Sequence, residues 1–371
     1  MQGFLCARGY LLGMLLLLAG LFWGIAVPLE GALREETLRE DLEKALLLRM
    51  KEGVLPRASG MVYAVDGATL LLYAVESENL PLFENLWESF REVFVVPVDF
   101  GGSDALTICW KKRPGEPPDA SGTTETVLTA KALWKAGHRW GRQDFLEQSL
   151  GFLRGYLGHI SGEGRSWQIR NYYNYGTRAF ATNSYALGYY PDFLAEVARS
   201  GLLPEAKEAE VNSLNFLRNA ALPNGLFASS FDPELRTLFP DSEVSYHFSP
   251  NFRIKVGDSA FIALEMLRGD EEIPRKTLGY LRTLWPSMPD TIYGFLSFPL
   301  SPEDASRGIS TGHLAAVYRL ALELDQEFAQ TIRPVLYRRG EALLKDRSGE
   351  AWGWDAANLL LALAREAREV R

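Results

Sequence analysis

From about residue 38 onward the chain is a succession of amphipathic helical stripes without a fixed repeat, and that succession leaves few folds open. Leu38, Leu42, Ala45 and Leu46 share one face, while Glu35 with Arg39 and Glu40 with Lys44 are i,i+4 pairs, so a helix is predicted that closes near Gly53. Further stripes fall at Leu70 to Val75, Leu82 to Phe90, 125 to 137 and 144 to 157, the last with Leu146, Leu150, Leu153 and Leu157 on one face. The second half continues at 186 to 199, 205 to 220, 258 to 268, 274 to 284, 311 to 324, 328 to 346 and 355 to 368, which makes about twelve helices. Strand signals are few. Val93 to Val96 with Leu106 to Trp110 predicts one hairpin around Gly101-Gly102, inserted into the helical frame. A solenoid would show a fixed period, and none is present. The pattern predicts an all-α fold, an (α/α)6 barrel over residues 33–371 with a small β-hairpin insertion, whose inner helices are apolar on both sides and whose outer helices are amphipathic.

The first 32 residues differ in kind. Gly9 to Leu29 is a run of 21 residues without a charge, about 31 Å long as a helix and so able to span a bilayer. Arg8 precedes it and would hold that end in the cytoplasm, with the charged segment EGALREETLRE beyond it outside. Residues 1–32 are therefore expected to be a single-pass signal anchor that places the barrel on the extracytoplasmic side. Cleavage after Gly24-Ile25-Ala26 would make the protein secreted instead.

A net charge of −8 without any lysine or arginine run excludes a nucleic-acid footprint. Cys6, at the edge of the membrane run, is out of reach of Cys109, so no disulfide framework is expected. His138, His159, His247 and His313 lack paired metal-ligand spacing, and no metal or other cofactor is expected.

The segment from Asp119 to Phe152 joins an acidic, hydroxyl-rich turn to two amphipathic helices. Asp119, Ser121 and Thr123 are capping types, and Glu125 sits in the first helical turn, where a carboxylate is stabilised by the dipole by about 0.3 to 1 kcal/mol. The helix ends in Ala136, Gly137 and Trp140. This segment resembles the second helical hairpin of family 8 glycoside hydrolases, which has an acidic turn and an Ala-Gly-x-x-Trp-like ending. Thr124 and Thr126 stand where members of that family tend to carry aspartates.

The resemblance implies hydrolysis of a β-linked glucan or exopolysaccharide by two carboxyl groups, about 6.5 to 9.5 Å apart if the reaction inverts. The family's acid lies in a Ser-Glu-Gly segment. Val65-Asp66-Gly67, followed by Phe83, Leu86 and Trp87 in the next helix, matches it and implies Asp66 as general acid. The family's base lies three residues before an arginine. Aligning on Arg253 puts Ser249 and Pro250 there, which leaves Asp241, Glu243 or Asp258 as substitutes, or Glu125 or Asp119 as the group that activates water or distorts the sugar.

Trp167 to Tyr190 holds eight aromatics in 24 residues. Tyr172, Tyr173 and Tyr175 alternate with Asn171, Asn174 and Gly176 in the manner of a loop surface, which makes them candidate walls for pyranose rings. Asn183-Ser184-Tyr185 resembles the family's Asn-Pro-Ser-Tyr element, adding Asn183 and Tyr185, while His247 and Arg253 complete the expected substrate-binding set. Two other readings stay open. A catalytically impaired glycan-binding protein would suit a site of polysaccharide synthesis or export, with that machinery as partner. A polysaccharide lyase would use Tyr246, His247, Asn171, Tyr173 and Arg178 for β-elimination.

Overall fold

The computed structural model describes residues 37–369 except 52, 101–103, 234–236, 239–244, 247–253, 286–294, 298–300 and 303–307. Twelve α-helices are present among them. They are α1 (37–49), α2 (Ala64–Glu76), α3 (Leu80–Phe94), α4 (Thr123–Trp140), α5 (Gln143–Leu157), α6 (Pro191–Ser200), α7 (Ala206–Ala220), α8 (Val256–Leu264), α9 (Glu272–Leu284), α10 (Thr311–Leu324), α11 (Gln326–Lys345) and α12 (Trp352–Glu369).

Helices α2, α4, α8, α10 and α12 form the inner ring, and the odd-numbered helices lie outside it. In α2 every residue from Ala68 to Glu76 is buried, and in α12 every residue from Ala356 to Ala364, as expected of helices with neighbours on all sides. In contrast, α3 buries only Phe83, Leu86, Trp87, Phe90 and Phe94, a single stripe at helical spacing. Around the ring α2 packs on α4, α8 on α10, α10 on α12, and α12 returns to α2, so the first and last inner helices close the barrel.

The third inner position departs from the sequence reading. Residues 186–199 do not form one helix. A 3₁₀ turn at Ala186–Gly188 fills the gap between α4 and α8, and α6 begins only at Pro191. The proline has no N–H to give to a preceding helical turn and fits the first position of a new helix. The predicted hairpin is present as Val95–Asp99 paired antiparallel with Asp104–Ile108, in register Val95 with Ile108 and Asp99 with Asp104. Val93 and Phe94, expected in its first strand, end α3 instead. The hairpin lies on α5 so closely that a Cβ on Gly155 would stand 1.9 Å from the Leu106 carbonyl oxygen.

No helix among the described residues is long and apolar enough to cross a membrane. The run Gly9–Leu29 and the expected boundary at residue 32 lie outside the described residues.

Candidate active site

The first turns of the inner helices converge at one end of the barrel and bring acidic groups together: Asp66 from α2, Glu125 from α4, Asp258 from α8 and Asp355 from α12. Inner-helix N-termini all facing one way make this gathering affordable, because each carboxyl meets the positive end of a helix dipole. The corresponding turn of α10 carries His313, whose Nε2 donates to Asp258 Oδ1 at 3.0 Å and whose Nδ1 meets Ser310 Oγ at 3.0 Å. Lys255 Nζ lies 3.7 Å from Asp258 Oδ2, and Asp355 Oδ1 accepts from the Gly312 N–H at 2.7 Å. Burial pushes the Asp355 carboxyl above the usual carboxylate range.

A cavity of about 580 Å³ opens at this end, and Glu125, Asp258 and Asp119 line it together with Tyr172, Tyr185 and Asn171. Glu125 lies on its wall. The surrounding protein desolvates this carboxyl, its own backbone N–H offsets little of that, and the negative charge of Asp66 adds to it, so its pKa is pushed up to about 7. The side chain folds back over Gly122, where a Cβ would lie 1.9 Å from Glu125 Oε2.

Hydroxyl groups pin the turn that presents Glu125. Thr126 Oγ1 donates to the Gly122 carbonyl and accepts from Ile108 N–H. Thr123 Oγ1 donates to the Asn171 carbonyl, and Ser121 Oγ accepts from Tyr173 N–H. His159 donates from Nδ1 to the Gly155 carbonyl and meets Ser121 Oγ through Nε2 at 2.9 Å. Burial lowers this imidazole to about 4, so it is neutral at pH 7. Thr126, in a position the resemblance assigns to an aspartate, is thus fully buried and structural here, while Thr124 lines the cavity.

The other expected residues separate. Asp66 is fully buried, does not line the cavity, and is held by Arg57 through two hydrogen bonds, Nη2 to Oδ1 at 2.8 Å and Nε to Oδ2 at 3.0 Å. Asp119 is exposed, with Oδ1 accepting from the Ala120 N–H. Tyr172 and Tyr185 are exposed on the cavity wall at 39% and 43%. Tyr173 instead packs edge-on to Phe100 and Tyr175 and tilted against Phe180, and Tyr175 hydrogen-bonds Thr107 Oγ1. Neither lines the cavity. Asn183 contributes its backbone carbonyl to the Asn171 N–H. His247 and Arg253, with Asp241 and Glu243, lie outside the described residues. Of the set expected for a lyase, Asn171 alone among the described side chains lines the cavity, and Arg178 sits on an exposed turn with φ of 55°. No cluster among the described residues could hold a metal ion. The Asp258–His313 pair was not assembled by sequence reasoning, because 55 residues separate its members.

Solved structures share the fold. An endoglucanase of glycosyl hydrolase family 8 from Klebsiella pneumoniae superposes with a TM-score of 0.59 at 16% identity, over 90% of this chain and 99% of that one. The fold is that of the family 8 glycoside hydrolases. Rex8A from Paenibacillus barcinonensis, solved with xylose, gives a TM-score of 0.63 at 14% identity over 91% of this chain and 94% of its own. A novel α-amylase from Clostridium perfringens gives 0.69 at 14% identity over 90% and 97%. No family sequence profile and no curated protein sequence matches the chain.

Proposed function

We propose that the protein is a glycoside hydrolase acting on a polysaccharide, with a β-linked glucan or exopolysaccharide as the first class to test. The observation that carries this is Glu125, a carboxyl raised to about 7 on the wall of a large cavity that a second, donor-held carboxyl, Asp258, also lines. A raised carboxyl facing a second one is the pairing that acetal hydrolysis needs. In this reading protonated Glu125 gives its proton to the glycosidic oxygen as the bond from that oxygen to the anomeric carbon breaks. Asp258 takes a proton from the water whose oxygen forms the new bond, and His313 and Lys255 orient Asp258. Tyr172 and Tyr185 offer faces for sugar rings. The acid role that the resemblance implied for Asp66 passes to Glu125, since Asp66 is engaged by Arg57 and closed off from the cavity.

The glycan bound and its linkage are read from a panel. Reducing-end release on β-glucans, xylan, bacterial exopolysaccharides and starch is measured for the protein and for Glu125→Gln and Asp258→Asn. Loss of about 10²- to 10⁴-fold in each variant with no fall in melting temperature is expected. Binding without release from any polymer would instead establish a glycan-binding protein, the reading favoured by Thr124, Thr126 and the Asp66 ion pair. We also infer that Gly9–Leu29 anchors the chain, with the barrel outside. Release of the protein from isolated membranes by alkaline carbonate would refute that.

A further inference from the structure

Below the candidate active site the barrel axis holds a second cavity of about 130 Å³, which shares Thr124, Leu187, Asp258 and Ile262 with the first and is therefore its inward continuation. Its size is near that of the roughly 150 Å³ cavity that takes up one benzene molecule. Its walls carry charge, unlike an apolar void. Lys131, Lys135 and Arg319 face it, along with Glu76 and Glu265 and, at its upper rim, Asp258.

Every one of these acids is already taken. Glu265 is paired with Lys131, Glu76 with both Lys135 and Arg368, and Asp258 with His313 and Lys255. Glu323, which attracts Arg319 from farther away, is paired with Arg365, and Arg365 in turn repels Arg319. Asp192, the remaining acid near Lys131 and Glu265, accepts from the Arg268 and Gly269 N–H groups. Arg319 is left over. It is part-buried, lines the cavity, feels the charges of Glu265 and Glu76, and has no hydrogen bond or ion pair among the described residues. An arginine stays charged at any ordinary pH, and a part-buried charge without a hydrogen-bonded partner is poorly solvated. Burial lowers the pKa of both Arg319 and Lys131, against the pull of Glu265 on each and of Glu76 on Arg319.

We propose that this inner cavity is an anion site in which Arg319 and Lys131 hold one small oxyanion or carboxylate. The group has two possible sources, a free inorganic anion or the carboxylate of an acidic sugar that reaches down from the cavity above. The proposal goes beyond the hydrolase reading, and neither arm of its test needs turnover.

The test is thermal melting of the purified full chain in chloride-free buffer, titrated separately with inorganic phosphate, glucuronate and, as uncharged control, glucose. A saturable rise of about 4 °C at a hundred times Kd is expected for one of the two anions and none for glucose. Phosphate alone identifies a free anion, and glucuronate alone identifies a substrate carboxylate. In Arg319→Gln the rise should vanish. Should that variant fail to fold, a bromide soak of crystals grown from the wild-type protein provides a second readout, with an anomalous peak expected beside the Arg319 guanidinium. No shift with either anion, an equal shift in Arg319→Gln, or no bromide at Arg319 overturns the proposal.

Discussion

Replacing Arg57 tests whether Asp66 belongs to the scaffold or to the chemistry. The carboxyl is completely buried and the arginine side chain only 16% exposed, with two charge-assisted hydrogen bonds between them. Arg57 is also stacked 3.7 Å from the Tyr63 ring centroid, which holds the fork in place. Burial pushes the Asp66 carboxyl above its ordinary value, and the pull of Arg57 brings it back only in part. Removing one partner of a buried pair costs about 3 to 5 kcal/mol. Unfolding entropy near 2.1 cal/mol/K per residue gives about 0.7 kcal/mol/K for a domain of about 330 residues, so Arg57→Met should melt about 4 to 7 °C lower at pH 8. The sign with pH follows from the raised value. A carboxyl that binds its proton more tightly in the folded state destabilises that state as pH climbs from the unfolded range near 3.9 through the folded value, and the variant raises it further. The deficit should therefore shrink on acidification toward pH 5. Calorimetry of Arg57→Met, Asp66→Leu and the double variant measures it, with the double variant recovering most of the loss. If Asp66→Asn melts like the wild type yet abolishes polysaccharide hydrolysis, Asp66 acts on substrate and the reasoning fails.

Three further outcomes follow from the site. Glu125 is raised from 4.5 to about 7, so its ionisation opposes folding as pH rises through that window, and Glu125→Gln should be more stable than the wild type at pH 8, by at most about 3 kcal/mol, with no gain at pH 4, in calorimetry at the two values. His159 is lowered to about 4, so the native state loses stability as pH falls from 6.5 toward 4; a His159→Gln variant, tested by acid titration of its circular dichroism, should lose that part of the acid sensitivity. Tyr172→Ala and Tyr185→Ala should each weaken oligosaccharide binding about 2- to 12-fold, as a stacking contribution of about 0.5 to 1.5 kcal/mol predicts, whereas Tyr173→Phe should leave affinity unchanged in calorimetric titration.

The frame was legible because helices write themselves at short range. The stripe of Phe83, Leu86, Trp87 and Phe90 and the unbroken apolar run of Leu70 to Val75 distinguish an outer helix from an inner one without any knowledge of their neighbours. The break at Pro191 was equally local and was overlooked because the apolar pattern runs through it. The candidate site was less legible because its relationships are long-range. Asp66 fitted a motif, but the arginine nine residues before it had no visible reason to turn toward it. Glu125 read as an ordinary first-turn carboxylate, and it is the surrounding walls and the charge of Asp66, distant in sequence, that raise its pKa. Among the loop tyrosines, alternation with asparagine marked the stretch but did not distinguish Tyr172, which faces outward, from Tyr173 and Tyr175, which support the loop from beneath.

The closure of the ring by α12 against α2 has a consequence for how the molecule comes into being. Arg368 in the last turn of α12 reaches Glu76 in the last turn of α2, a contact between residues 292 positions apart. Until α12 is synthesised, α2 has an open flank of leucines with nothing to cover it, and the growing chain cannot settle into stable hairpins one after another as a repeat array would. Assembly is thus postponed until α12 has been synthesised. A chain stopped just before Trp352 should be found with chaperones or proteases and not as a smaller working barrel, because a hoop missing one stave does not hold.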